Sequence, residues 1–184
     1  MSTLFVNNLN TASGDTITLP TGKKIRGVDA GSIAGKGNII NVTFGTHNTT
    51  GLTTTSTSFV NYTNSNITVT KLRGPGNVAG GSYLLVMGSA WIEYGTNANG
   101  RHLAYSLMRD GTELSSQSYG FGNLYSAAAG GYQSSADISF VDPANLNAGN
   151  YVYSMCIASN NGTATVQIGN SGRVGTWQIL EIAT

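Results

Sequence analysis

The residues of this chain best equipped for chemistry are two glycine-lysine stretches, three glutamates, two histidines and one cysteine. Gly31-Ser32-Ile33-Ala34-Gly35-Lys36-Gly37 resembles a phosphate-binding loop, where glycine amides cradle phosphates and a hydroxyl after the lysine holds magnesium. Its glycines stand one residue too close, Gly37 occupies the hydroxyl position, and no helical pattern follows to aim an N-terminus at an anion. The stretch from Gly14 to Lys23 also fails on spacing. Zinc needs about four ligands from Cys, His and carboxylate, yet His47 and His102 lie far apart and Cys156 is alone. Calcium on Asp137, Asp142 and carbonyls lacks the loop spacing of an EF-hand. Glu93, Glu113 and Glu181, with the five aspartates, could supply the carboxylate pair of a glycosidase. Each glutamate falls at an expected strand end or turn, where charge is solvated, and Asp15, Asp110 and Asp142 read as turn residues. No G-x-S-x-G elbow occurs. The expectation is a chain without catalysis, metal or cofactor.

Composition narrows the partners. Charged residues make up 9% of the 184 positions, against about 25% in ordinary soluble proteins. Ser, Thr, Asn and 25 Gly take their place, so the surface is wetted by neutral hydrogen-bonding groups. Copies of such a chain pack without like-charge repulsion. A net charge of +1 without a Lys/Arg stripe argues against nucleic acid. Only Lys23, Lys24 and Arg26 cluster, and they would suit docking on an acidic particle surface. The N-x-[ST] matches at Asn41, Asn48, Asn61, Asn66 and Asn161 follow from composition. No secretory signal pattern and no apolar run of membrane-spanning length is present, so synthesis in a cytoplasm without membrane insertion is expected.

These residues must be positioned by strands. Residues 1–37 hold short β-like pieces broken by Pro20 and glycines, an attachment segment that needs a partner surface. Residues 38–81 hold connecting strands that partly join the sandwich, among them the alternating Ile67, Val69 and Lys71, and end in the breaker-rich GPGNVAGG linker. Residues 82–184 read as an antiparallel β-sandwich, jelly-roll-like, with Asp110-Gly111 and Asn161-Gly162 as hairpin turns and Gly120–Gly131 as a long loop. No segment has helical periodicity. Tyr151, Tyr153, Met155 and Ile157 share a face, as do Trp177 and Ile179. Cys156 reads as a small core residue. The strand 83–94 is apolar on both faces, with Leu85, Met87 and Trp91 on one and Leu84, Val86, Ala90 and Ile92 on the other. A sheet wetted on one side alternates, so the second face calls for a cover, most simply another copy of the chain. Leu84, Val86 and Ile92, with Leu180 and Ile182 of the last strand, are the expected subunit contacts. Tyr119, Phe121, Tyr125 and Tyr132, in a Gly- and Ala-rich stretch, have the composition of a binding loop that could stack on the sugar rings of a host surface glycan, or they plug the end of the sandwich, the commoner use of such aromatics.

Three stretches carry a family resemblance: TLFVNNLNTASGDTITLPTGKKIRGVDAGSI, then TTTSTSFVNYTNSNITVTK with SYLLVMGSAWIEY, and the closing VQIGNSGRVGTWQILEIA. Together they resemble structural proteins of marine bacteriophages. The resemblance implies a virion appendage, a short fibre or capsid decoration. It implies a homotrimer of jelly rolls similar to the tumour-necrosis-factor and C1q domains, anchored to capsid or tail proteins at the virion surface. A module at a fibre tip that recognises host glycan is the alternative. Residues 1–37 reach at most about 130 Å when extended, which favours a short protrusion over a long shaft.

Overall fold

A computed structural model describes residues 37–48, 51–94, 101–126, 133–142, 145–169 and 173–184, all within the compact unit 34–184. They form twelve strands: β1 (Ile39–Asn48), β2 (Leu52–Thr54), β3 (Val60–Asn61), β4 (Ile67–Lys71), β5 (Ser82–Tyr94), β6 (Arg101–Arg109), β7 (Thr112–Glu113), β8 (Gly122–Ser126), β9 (Gln133–Asp142), β10 (Gly149–Ser159), β11 (Val166–Ile168) and β12 (Val174–Ala183). The helical content of the described residues is a single 3-10 turn, Thr63–Ser65.

Every strand pair is antiparallel, and the pairing is nested. β1 pairs with β12, β4 with β10, β5 with β9 and β6 with β8. The chain is thus one long hairpin rolled up, its outer strands meeting outermost and its inner strands innermost. Contacts of β5 with β12 and of β6 with β10 then join these pairs into two sheets. Sheet I runs β1-β12-β5-β9, with β11 and β2 extending it; sheet II runs β4-β10-β6-β8, with β3 and β7. This is the double-sheet jelly roll.

Alternation decides which side chains fill the space between the sheets. β5 reads buried, half-buried, buried along all its length, so Leu84, Val86, Ala90 and Ile92 enter the core with Trp177 and Ile179 of β12. Opposite them lie Ile67 and Val69 of β4, Leu103 and Leu107 of β6, and Tyr153, Met155 and Ile157 of β10. Each fully buried aliphatic side chain contributes about 1.5–3 kcal/mol. Gly88 is glycine because the Trp177 indole lies where its Cβ would project. That indole donates to the Ser65 carbonyl at 2.7 Å, which seats the 3-10 turn as a plug in the sandwich.

Residues 38–81 supply β1 to β4, which join both sheets. Two readings change. The Gly120–Gly131 stretch contains β8, hidden because Gly122 breaks the apolar pattern where the Tyr105 ring fills the Cβ position. Asn161-Gly162 joins β10 in sheet II to β11 in sheet I, so it is a crossover and not a hairpin turn. By contrast, Asp110 and Gly111 both take positive φ, as a two-residue turn between β6 and β7 requires.

Candidate functional site

The carboxylates that might have formed a catalytic pair each hold their own part of the framework. Glu181 is buried: it accepts from the Leu72 and Arg73 amides at 2.9 Å and from Ser82 Oγ at 2.5 Å. Ser82 Oγ in turn accepts from Lys71 Nζ at 2.8 Å, so a hydroxyl bridges a buried ammonium to a buried carboxylate. Lys71 Nζ also donates to the Arg73 and Gly74 carbonyls. Burial, opposed by Glu181, lowers the Lys71 pKa from its ordinary value. Asp142, read as a turn residue, is buried in an ion pair with Arg109 at 2.5 Å and accepts from the Tyr153 hydroxyl at 2.7 Å. Glu113 accepts from the Ser106 and Ser115 hydroxyls and from the Ser115 amide. The expectation that these charges are solvated fails for Glu181 and Asp142, whose hydrogen-bond partners lie on other strands, and for half-buried Glu113, which the serines of its own hairpin and turn enclose. Among the described residues no three His, Cys, Asp or Glu side chains gather to hold a metal. Burial pushes the Cys156 thiol up to about 12.

Two surfaces remain. The outward side of sheet I carries the second apolar face of β5. Register places Ile39, Ile182 and Tyr83 in one row across β1, β12 and β5. The next row is Val42, Leu180, Leu85 and Val141, and the next Phe44, Gln178, Met87 and Ser139. Phe44 is 70% exposed, and Ile39, Val42 and Val141 are exposed too. No charged residue enters these rows; charge begins lower on the sheet, with Asp137, Glu93 and an Arg173 guanidinium stacked 3.9 Å from the Trp91 ring. Beside the Phe44 row, Met87, Ser89, Ser139, Thr176 and Gln178, with Asp137 at its charged end, wall a shallow depression of 340 Å³.

This corrects the expected subunit contacts. Leu84, Val86 and Ile92 are at most 1% exposed within a single chain, so they cannot touch another copy. The double apolar character of β5 is present, but the outward set is Tyr83, Leu85, Met87 and Trp91. Leu180 and Ile182 do lie on the outward side, half-buried. Exposed Phe44 escaped sequence reasoning, because Asn41 and Thr43 beside it gave β1 the look of an ordinary half-wetted strand.

The second surface lies on the outward side of sheet II. His102 of β6 stands opposite Tyr125 of β8, and the loop after β7 brings Tyr119 to its other side. The ring centroids are 4.8 Å apart for His102 and Tyr125 and 5.1 Å for His102 and Tyr119. Both tyrosines are exposed. Asn123 Oδ1 sits 3.2 Å from His102 Nδ1, so the imidazole donates through Nδ1. Asn160 Oδ1 accepts from the His102 amide at 3.1 Å. Next to the rings, Ala104 and Ala158 face each other across β6 and β10 and floor a 180 Å³ cleft. Of the four aromatics in the expected binding loop, the fold thus brings Tyr119 and Tyr125 together. Phe121 turns inward against Phe140, with centroids 4.8 Å apart. Tyr132 lies outside the described residues, as do Lys23, Lys24 and Arg26.

No protein-family model matches the sequence, and no curated protein matches it. Among solved structures, one similar chain belongs to the structure of infectious bursal disease virus Gx strain, at 12% identity and a TM-score of 0.32. The match covers 88% of this chain and 41% of that one, and a likeness at that level carries no weight for function. No helix of the described residues is long and apolar enough to cross a membrane.

Proposed function

We propose that this chain is a non-enzymatic structural protein of a bacteriophage virion, a short appendage or capsid decoration that works as a homotrimer. The observation that carries the reading is the uncharged apolar end of sheet I, from Ile39, Val42 and Phe44 across Leu180 and Ile182 to Leu85 and Val141. An apolar patch of this extent marks a contact surface, and its lack of charge suits a second copy of itself. Strand β1 adds to the case. It is the last strand of its sheet among the described residues, ten residues long, with neither charge nor proline to deter pairing. Burying the patch between copies protects that strand as well. An obligate interface of about 2,000 Å² or more makes such a trimer permanent.

In this reading residues 1–37 fix the trimer to capsid or tail proteins, with Lys23, Lys24 and Arg26 at the docking surface, and the jelly roll projects outward. The resemblance of the opening and closing stretches to marine phage structural proteins supports the same assignment. Electron microscopy of intact particles labelled with an antibody to the chain tests it. Label at regular positions on the particle surface is expected, with loss of attachment when residues 1–37 are deleted. Particles that carry no label, while free protein remains in the lysate, would overturn the assignment.

A further inference from the structure

We propose that the outward face of sheet II binds a single ring of a neutral carbohydrate, laid against the exposed faces of the packed Tyr119, His102 and Tyr125 rings and the cleft beside them. The site was built on consecutive rows of the sheet. One row is Asn160, His102 and Tyr125; the next is Ala158, Ala104 and Asn123. The first supplies rings. The second supplies a floor without bulk, because alanines meet where two larger side chains would fill the hollow. Thr57, Ser118, Tyr119, Ser159 and Asn160 line the rest of the cleft.

The chemistry of these groups selects the ligand. Exposed tyrosine rings offer flat apolar faces with a polar rim, which complement the C–H face of a pyranose and the hydroxyls around it. The hydrogen bond between His102 Nδ1 and Asn123 Oδ1, 3.2 Å long, holds the imidazole in its place between the two tyrosines. Asn160 uses its carbonyl on the His102 amide, and its amide nitrogen is left to donate. None of the named groups carries a fixed charge, so sulfated or acidic sugars gain no ion pair here. Nucleobases also stack on aromatic rings, but their binding draws on a cationic groove along the backbone, and no Lys or Arg lines this cleft. At 180 Å³ the cleft falls below the roughly 300–1,000 Å³ of drug-sized pockets, which suits one monosaccharide unit.

This site is on the opposite sheet from the apolar patch, and it does not depend on the assembly reading. Saturation-transfer NMR with the methyl glycosides of glucose, galactose, mannose and N-acetylglucosamine tests it, with adenosine monophosphate and a proline-rich peptide as competing ligand classes. At least one glycoside is expected to receive saturation, with millimolar affinity. Tyr125→Ala and Tyr119→Ala should each weaken it about tenfold or more, the scale of one lost stacking contact, at an unchanged melting temperature because both rings are exposed. Tyr125→Phe should retain binding. Phe44→Asp should retain it too, so failure of the assembly reading would not be mistaken for failure of this one. No transfer to any glycoside, equal transfer in the Tyr119→Ala and Tyr125→Ala variants, or binding of the nucleotide or peptide in place of sugar would overturn the proposal.

Discussion

Individual side chains hold this fold through buried polar groups as much as through its aliphatic core. Glu181 accepts from the Leu72 and Arg73 amides and the Ser82 hydroxyl, and it orders the turn that follows β4. Glu181→Ala removes this acceptor from all three, and a buried donor left unsatisfied costs about 1–3 kcal/mol. A loss of about 3 kcal/mol or more in urea unfolding is expected; a loss below about 1 kcal/mol would show that water replaces the carboxylate without cost. His47 makes a second residue-scale case. Its ring is buried against Tyr62 and Trp177, 3.1 Å from the Ser89 carbonyl, and fills the space over Gly175. Burial outweighs that hydrogen bond and lowers the imidazole pKa from 6.5. The unfolded chain therefore binds the proton more readily than the folded one, so stability is full above about pH 6.5 and declines as pH falls through the lower folded value. The melting temperature of the wild type should drop between about pH 7.5 and pH 5 more than that of His47→Gln. Equal drops would remove His47 as the cause.

At the scale of elements, β5 separates two kinds of apolar residue that sit one position apart. Val86→Asp places an unpaired charge in the core, at a cost of about 3–5 kcal/mol or more. Leu180→Asp and Leu85→Asp place theirs on the outward side and should leave circular dichroism and the fold intact while weakening association. If Val86→Asp folds and Leu180→Asp does not, the faces have been assigned the wrong way round. The sequence shows that β5 is apolar on both faces, since the alternation of Leu, Val, Met, Trp and Ile is local. It does not show which face its own sandwich uses. That depends on the nesting of β5 between β12 and β9, pairings that join Ser82 to Ala183 and Leu84 to Asp142 across long stretches of chain. For the same reason Asp110-Gly111 was legible as a turn and Asn161-Gly162 was legible as a break, but not as a crossing between sheets. The aromatic platform was half legible. Tyr119 and Tyr125 stood out by composition, whereas His102, Asn123 and Asn160 reach them only through β6, β8 and β10 pairing.

The described sandwich presents two unlike faces. Sheet I turns an uncharged apolar end outward, and sheet II turns out rings, amides and hydroxyls over a small cleft. The proposed virion role, in which copies join by one face and meet the surroundings with the other, calls for such a division. Its low charge removes the repulsion that crowded copies would otherwise feel. The account stands or falls on whether the apolar end of sheet I is covered by sister chains in solution. Sedimentation velocity of the purified full chain at micromolar concentration measures that directly, beside Phe44→Asp and Leu180→Asp. The account predicts a single species with the mass of three chains for the wild type and folded monomers for both variants. A wild type that sediments as a stable, folded monomer would contradict it.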